Sequence, residues 1–126
     1  MRLHNPPVIA VIEDDGAMRE ALSELLEVTA FSCRAFDRAE SFLADFSPEQ
    51  FDCIITDLRL PGLDGLDLQR ALKALGPSLP LIFITSSVDP TPQARAMREG
   101  AHAYLSKPVN GAVLLGHVAT AIRRGH

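Results

Sequence analysis

A chain of 126 residues has room for one domain of ordinary size, and 47% hydrophobic with 22% charged residues is the balance of a folding globular chain, not a disordered one. The formal net charge of −4 argues against broad electrostatic capture of nucleic acid by this segment. The start carries no charged region leading into a long apolar stretch, and no apolar run nears spanning length, so neither a signal peptide nor a membrane helix is expected. Cys33 and Cys53 are too few for a disulfide scaffold and imply a reducing, cytoplasmic setting. His4, His102, His117 and His126 are scattered without a zinc-binding spacing.

Val8 to Ile12 is a continuous apolar, β-branched run halted by three acids, the pattern of a strand buried on both faces. From Ala17 to about Val28, Met18, Ala21, Leu22, Leu25 and Leu26 recur at helical spacing. A second strand over Phe31 to Phe36 and a helix over Ala39 to Phe46 follow, ended by Ser47-Pro48. Cys53 to Thr56 reads as a third strand delivering Asp57 to a loop with a Pro61-Gly62 turn. Leu66 to Leu75 reads as a helix broken at Gly76-Pro77, and Leu81 to Thr85 as a fourth strand.

Thr91 before Pro92 predicts the cap of a short fourth helix closing at Gly100, while Pro90 and Pro92 together stiffen its entry. Ala103 to Ser106 predicts a fifth strand ending at Lys107-Pro108. Asn110 then caps a last helix with Val113, Leu114, Val118, Ala121 and Ile122 inward. Strict alternation of strand and helix favours right-handed crossovers and a parallel sheet covered on both faces. The fold expected is α/β, a flavodoxin-like (βα)5 doubly wound five-stranded sheet. One domain covers 1–126, with 1–6 an N-terminal extension and 124–126 a tail or the start of a linker.

The residues that end the strands carry the chemistry. Glu13, Asp14 and Asp15 follow strand one, Asp57 strand three, Thr85 strand four and Lys107 strand five, so all gather at the carboxyl edge where such sheets bind ligands. Clustered carboxylates repel unless a cation compensates them, and oxygen-only ligands suit a hard ion such as Mg2+. Magnesium with a lysine is the recurring equipment of phosphoryl transfer, in which a carboxylate can itself be the nucleophile.

Val11-Ile12-Glu13-Asp14-Asp15 with Met18-Arg19, Ile54-Ile55-Thr56-Asp57, Pro61-Gly62-Leu63-Asp64-Gly65, Ile84-Thr85-Ser86 and Tyr104-Leu105-Ser106-Lys107-Pro108 follow one another in order. Together they resemble the receiver domains of two-component response regulators, CheY-like and most similar to those of the NarL/FixJ type, over nearly the whole chain. The resemblance implies strand order 2-1-3-4-5 and Asp57 as phosphoacceptor. It implies Mg2+ held by Asp14, by Glu13, by Asp57 and by the backbone carbonyl of Arg59. Counting back from Met18-Arg19 selects Glu13 and Asp14 as the metal pair and leaves Asp15 as a solvated neighbour or cap of the first helix.

In the same terms Thr85 resembles the hydroxyl that binds the phosphoryl group, Lys107 the lysine that pairs with it, and Tyr104 the aromatic that switches with Thr85. The Lys107-Pro108 peptide is expected to be cis. Asp64 is read as serving the turn and Arg19 as a solvated helix face. The partner implied is a sensor histidine kinase or phosphotransfer protein, with a homodimer possible on phosphorylation. The chain would be a signalling phosphoacceptor rather than an enzyme, assisting its own phosphorylation and dephosphorylation. Its output would run through helix four, strand five and helix five, to transcription by a DNA-binding domain outside these residues. The competing reading is a stand-alone or phosphorylation-independent interaction module. A flavin binder is disfavoured, because Glu13-Asp14-Asp15 would repel a phosphate in the loop after strand one.

Overall fold

The computed structural model describes residues 5–76 and 78–125. In chain order these form β1 (Val8–Ile12), α1 (Gly16–Val28), β2 (Ser32–Phe36), α2 (Ala39–Ala44), a single 3-10 turn (Pro48–Gln50), β3 (Cys53–Asp57), α3 (Gly65–Leu75), β4 (Leu81–Thr85), α4 (Pro90–Arg98), β5 (Ala103–Ser106) and α5 (Gly111–Gly125). His4, Pro77 and His126 lie outside the described residues, as do most of the extension at 1–6 and the last residue of the tail. No helix among the described residues is long and apolar enough to cross a membrane.

The sheet runs β2-β1-β3-β4-β5 with every neighbouring pair parallel, the expected order. Side chains alternate across a strand, so each of β1, β3 and β4 feeds two cores. Ala10, Ile12, Ile54 and Phe83 face one way and pack with Phe42, Leu68, Leu72 and Ala96 from α2, α3 and α4. Ile9, Val11, Cys53, Ile55, Ile82 and Ile84 face the other and meet Leu22 and Leu26 of α1 and Leu114, Val118, Ala121 and Ile122 of α5. Burial of nearly every position of the three central strands explains their apolar runs.

Several local expectations are corrected. Helix α2 ends at Ala44, not Phe46. The Phe46 ring instead packs 5.2 Å from Phe42 in an aromatic cluster with Phe36 and Phe51, while Gln50 Oε1 accepts from the Ser47 amide at 3.0 Å across the 3-10 turn. Thr91 does not cap α4. Asp89 does, its Oδ1 accepting from Thr91 N at 3.0 Å, because an aspartate is the stronger cap and Pro90 can then occupy the first helical position, where no amide donor is needed. Ala21 is exposed, and Val113 is 48% exposed on the first turn of α5 while Asn110 Oδ1 caps its amide at 3.0 Å.

Cys53 has no solvent exposure, and burial pushes its thiol up to about 12 from an ordinary 9.0. Below 9.0 the thiol is neutral in the folded and unfolded states alike; between there and about 12 only the unfolded chain ionises, so stability falls as pH rises. Urea midpoints measured as pH is raised above 9.0 should therefore decline more steeply for the wild type than for Cys53→Ala, by roughly 1 kcal/mol per pH unit. Equal slopes would show that this thiol titrates in the fold as it does in water.

Candidate phosphoacceptor site

The carboxyl edge of the sheet collects the predicted residues because β1, β3, β4 and β5 all end there in parallel register. Glu13 follows β1 and has no solvent exposure; Asp57 closes β3 at 6%. The Lys107 ammonium, one residue beyond β5, donates to Glu13 Oε1 and to Asp57 Oδ2, at 2.9 Å each. Burial alone would push Glu13 up and Lys107 down. For Glu13 the burial outweighs the Lys107 hydrogen bond and the Asp15 amide, so its carboxyl sits above the ordinary value. For Lys107 the two carboxylates outweigh burial, and its ammonium is also raised.

Asp14 is exposed, yet one carboxylate oxygen from each of Glu13, Asp14 and Asp57 lies within 4.8 Å of the others. Asp15 is outside this group; its Oδ1 caps α1, accepting from Ala17 N at 3.0 Å and Met18 N at 3.2 Å. Three carboxylates against one ammonium leave two negative charges in excess, which one divalent cation matches, and an all-oxygen donor set suits Mg2+.

The loops holding these groups are tied in ways the sequence did not disclose. Arg19 is not a solvated helix face: its Nη1 reaches back from α1 to donate to the Glu13 carbonyl at 2.8 Å. Asp64 is the cap of α3 rather than a turn residue, its Oδ1 accepting from Asp67 N at 2.9 Å while Asp67 Oδ2 accepts from Asp64 N at 3.1 Å. Arg59 N donates to Asp57 Oδ1 at 3.2 Å, turning the chain directly after the carboxylate.

Thr85 is fully buried at the end of β4, its Oγ1 accepting from Ser87 N at 3.0 Å. Tyr104 pairs in register with Phe83, two residues earlier on β4, and the two rings stand 6.0 Å apart. The Tyr104 hydroxyl is buried and has no hydrogen-bond partner among the described residues. Burial raises the phenol, more than the Arg59 guanidinium lowers it. The Lys107-Pro108 peptide bond is cis.

Gly65 sits directly behind Asp57. A Cβ there would stand 2.6 Å from the Asp57 carbonyl oxygen, 2.9 Å from the Phe83 ring and 3.1 Å from Leu58 Cα, so only glycine lets α3 start so close to the end of β3. Gly65→Ala should destabilise the protein by roughly 1–3 kcal/mol in urea denaturation and shift the amide resonances of Asp57 and Leu58. A wild-type midpoint would show that the approach is not tight.

The sequence profile described as "Response regulator receiver domain" matches residues 9–119. The response regulator protein TodT of Pseudomonas putida is 38% identical over 116 residues, which cover 92% of this chain and 51% of TodT. The transcriptional regulatory protein FixJ of Bradyrhizobium diazoefficiens is 37% identical over 116 residues, covering 92% of this chain and 57% of FixJ. The solved structure of the response regulator StyR superimposes with a TM-score of 0.90 at 36% identity, over 95% of this chain and 61% of that one. The chain spans little more than half the length of the curated relatives it matches. A five-stranded sheet ordered 2-1-3-4-5, an acidic pocket at its carboxyl edge and a family match across nearly every element agree: this chain belongs to the response regulator receiver domain family.

Proposed function

We propose that Asp57 accepts a phosphoryl group from the phosphohistidine of a sensor histidine kinase or phosphotransfer protein. The observation that carries this reading is the Lys107 ammonium bridging Asp57 and Glu13 at 2.9 Å within a group of three carboxylates. A structural ion pair would need one acid. This pocket holds more negative charge than its lysine neutralises, beside a carboxylate whose two oxygens are already oriented, one by Lys107 and one by the Arg59 amide.

Glu13, Asp14 and Asp57, with the backbone carbonyl of Arg59, would hold magnesium, which when bound supplies positive charge to the phosphoryl oxygens and quiets repulsion among the acids. The chain's own groups do the rest. An Asp57 oxygen forms the new bond to phosphorus as the bond from phosphorus to the donor imidazole nitrogen breaks, the electron pair leaving with the imidazole. Lys107 exchanges one carboxylate contact for a phosphoryl oxygen. The Thr85 hydroxyl, now an acceptor from Ser87 N, can turn to donate to the same group, and Tyr104, whose hydroxyl loses no bond by moving, can follow into the space vacated.

The surface that would report the change is α4, β5 and α5. Control of transcription through a further domain fits the relatives' lengths and names; homodimerisation on phosphorylation belongs to the same reading, and a stand-alone interaction module is the second reading. Incubation with acetyl phosphate and magnesium should add one phosphoryl group by intact mass; Asp57→Asn should abolish the addition, and Lys107→Ala should slow it by an order of magnitude or more, about the worth of one transition-state donor. Labelling that survives Asp57→Asn would refute the assignment.

A further inference from the structure

The loop between β3 and α3 is held from outside the pocket by a residue on a different helix. Glu40, in the first turn of α2, accepts a hydrogen bond on Oε2 from Leu63 N at 3.0 Å, linking positions 23 residues apart. Beside it Gly62 takes a left-handed φ of 71°, and the volume that a Cβ on Gly62 would fill is occupied by the same Glu40 carboxylate. The turn and the carboxylate are thus shaped to one another: the glycine supplies both the backbone conformation and the space. Glu40 is exposed, and the Leu63 amide, first among its influences, draws its carboxyl below the ordinary value, so at neutral pH it binds as an anion.

We propose that Glu40 is a positioning residue for the phosphoacceptor site, fixing the Arg59-to-Asp64 segment so that its backbone faces the Asp57 pocket in one geometry. This rests on the reading of that pocket as a magnesium and phosphoryl site. The segment is secured at its start by Arg59 N on Asp57 Oδ1 at 3.2 Å and at its end by Gly65 N on the Leu58 carbonyl at 2.8 Å. Its middle is Pro61-Gly62-Leu63, exposed throughout, where the Glu40 bond is the cross-link to the rest of the fold that the geometry provides. Loss of that link leaves Arg59 N bonded to Asp57 and Leu60 buried in the core but lets the Pro61-Gly62-Leu63 turn shift, which loosens the orientation of the neighbouring Arg59 carbonyl and weakens a ligand that the backbone supplies without unfolding the domain.

Glu40→Ala and Glu40→Gln distinguish this from a merely structural role. Magnesium binding followed by calorimetry, with no phosphoryl donor, should weaken about fivefold in Glu40→Ala, the worth of one hydrogen bond, and recover most of that in Glu40→Gln, whose amide oxygen can still accept from Leu63 N. Hydrogen exchange at the Leu63 amide should quicken in the alanine variant and not in the glutamine one. In acetyl phosphate reactions the magnesium requirement should rise while the rate at saturating magnesium stays at the wild-type value. Faster exchange at Leu63 with unchanged magnesium affinity would overturn the proposal. If the wild type binds magnesium but takes up no phosphoryl group, the phosphoacceptor reading fails while the calorimetry still decides the role of Glu40; if the wild type binds no magnesium, both fail.

Discussion

Everything at the carboxyl edge of this sheet depends on one ammonium group. Lys107 holds two carboxylates that have almost no access to water, and without it Glu13 and Asp57 would face each other as uncompensated charges in a low-dielectric pocket. The parallel sheet makes the meeting possible: β1, β3 and β5 end at the same rim, so residues 44 and 50 positions apart converge without any local sequence relation between them. The same bridge sets the charge imbalance that Asp14 deepens, an imbalance that a small hard cation would offset.

The support around that bridge is layered. The acid-bearing loop after β1 is gripped through its own carbonyl by Arg19 and closed by the Asp15 cap. The loop after β3 passes over Gly65, where α3 begins against the Asp57 peptide, and is met from α2 by Glu40. Phe36, Phe42, Phe46 and Phe51 form the aromatic block beneath α2, which makes the helix a firm base although it has only six residues. Packing far from the pocket is thereby linked to the loop that borders it.

How much of this was legible in the sequence follows from the range of the forces involved. Buried parallel strands must be apolar along most of their length, so the polar residues at their carboxyl ends announce themselves, and Glu13, Asp57 and Thr85 were readable in that way, while Lys107 follows a half-exposed edge strand and was read from its place after the fifth run. Sheet order is not written in strand composition and came instead from the resemblance. The Asn110 cap was readable because a single candidate stood before the helix, and Asp15, left open between solvated neighbour and cap, is the cap. The reading failed where two candidates competed: Thr91-Pro92 has the pattern of a cap, but Asp89-Pro90 has the same pattern with the better acceptor. Arg19 and Glu40 were misread or passed over because long charged side chains look solvated until the fold shows which backbone group lies in reach.

The start of α4 has a further meaning for an anion arriving at Asp57. The first turn of a helix ordinarily presents unpaired amide hydrogens to whatever lies before it, and so attracts negative charge. Here Pro90 and Pro92 carry no amide hydrogen, and the donor between them, Thr91 N, is spent on Asp89. This helix therefore enters the rim of the pocket electrostatically muted, making no rival claim on a phosphoryl group. On the phosphoacceptor reading, attraction at that side of the rim would fall to Thr85, which ends β4, and to Lys107, which follows β5 directly.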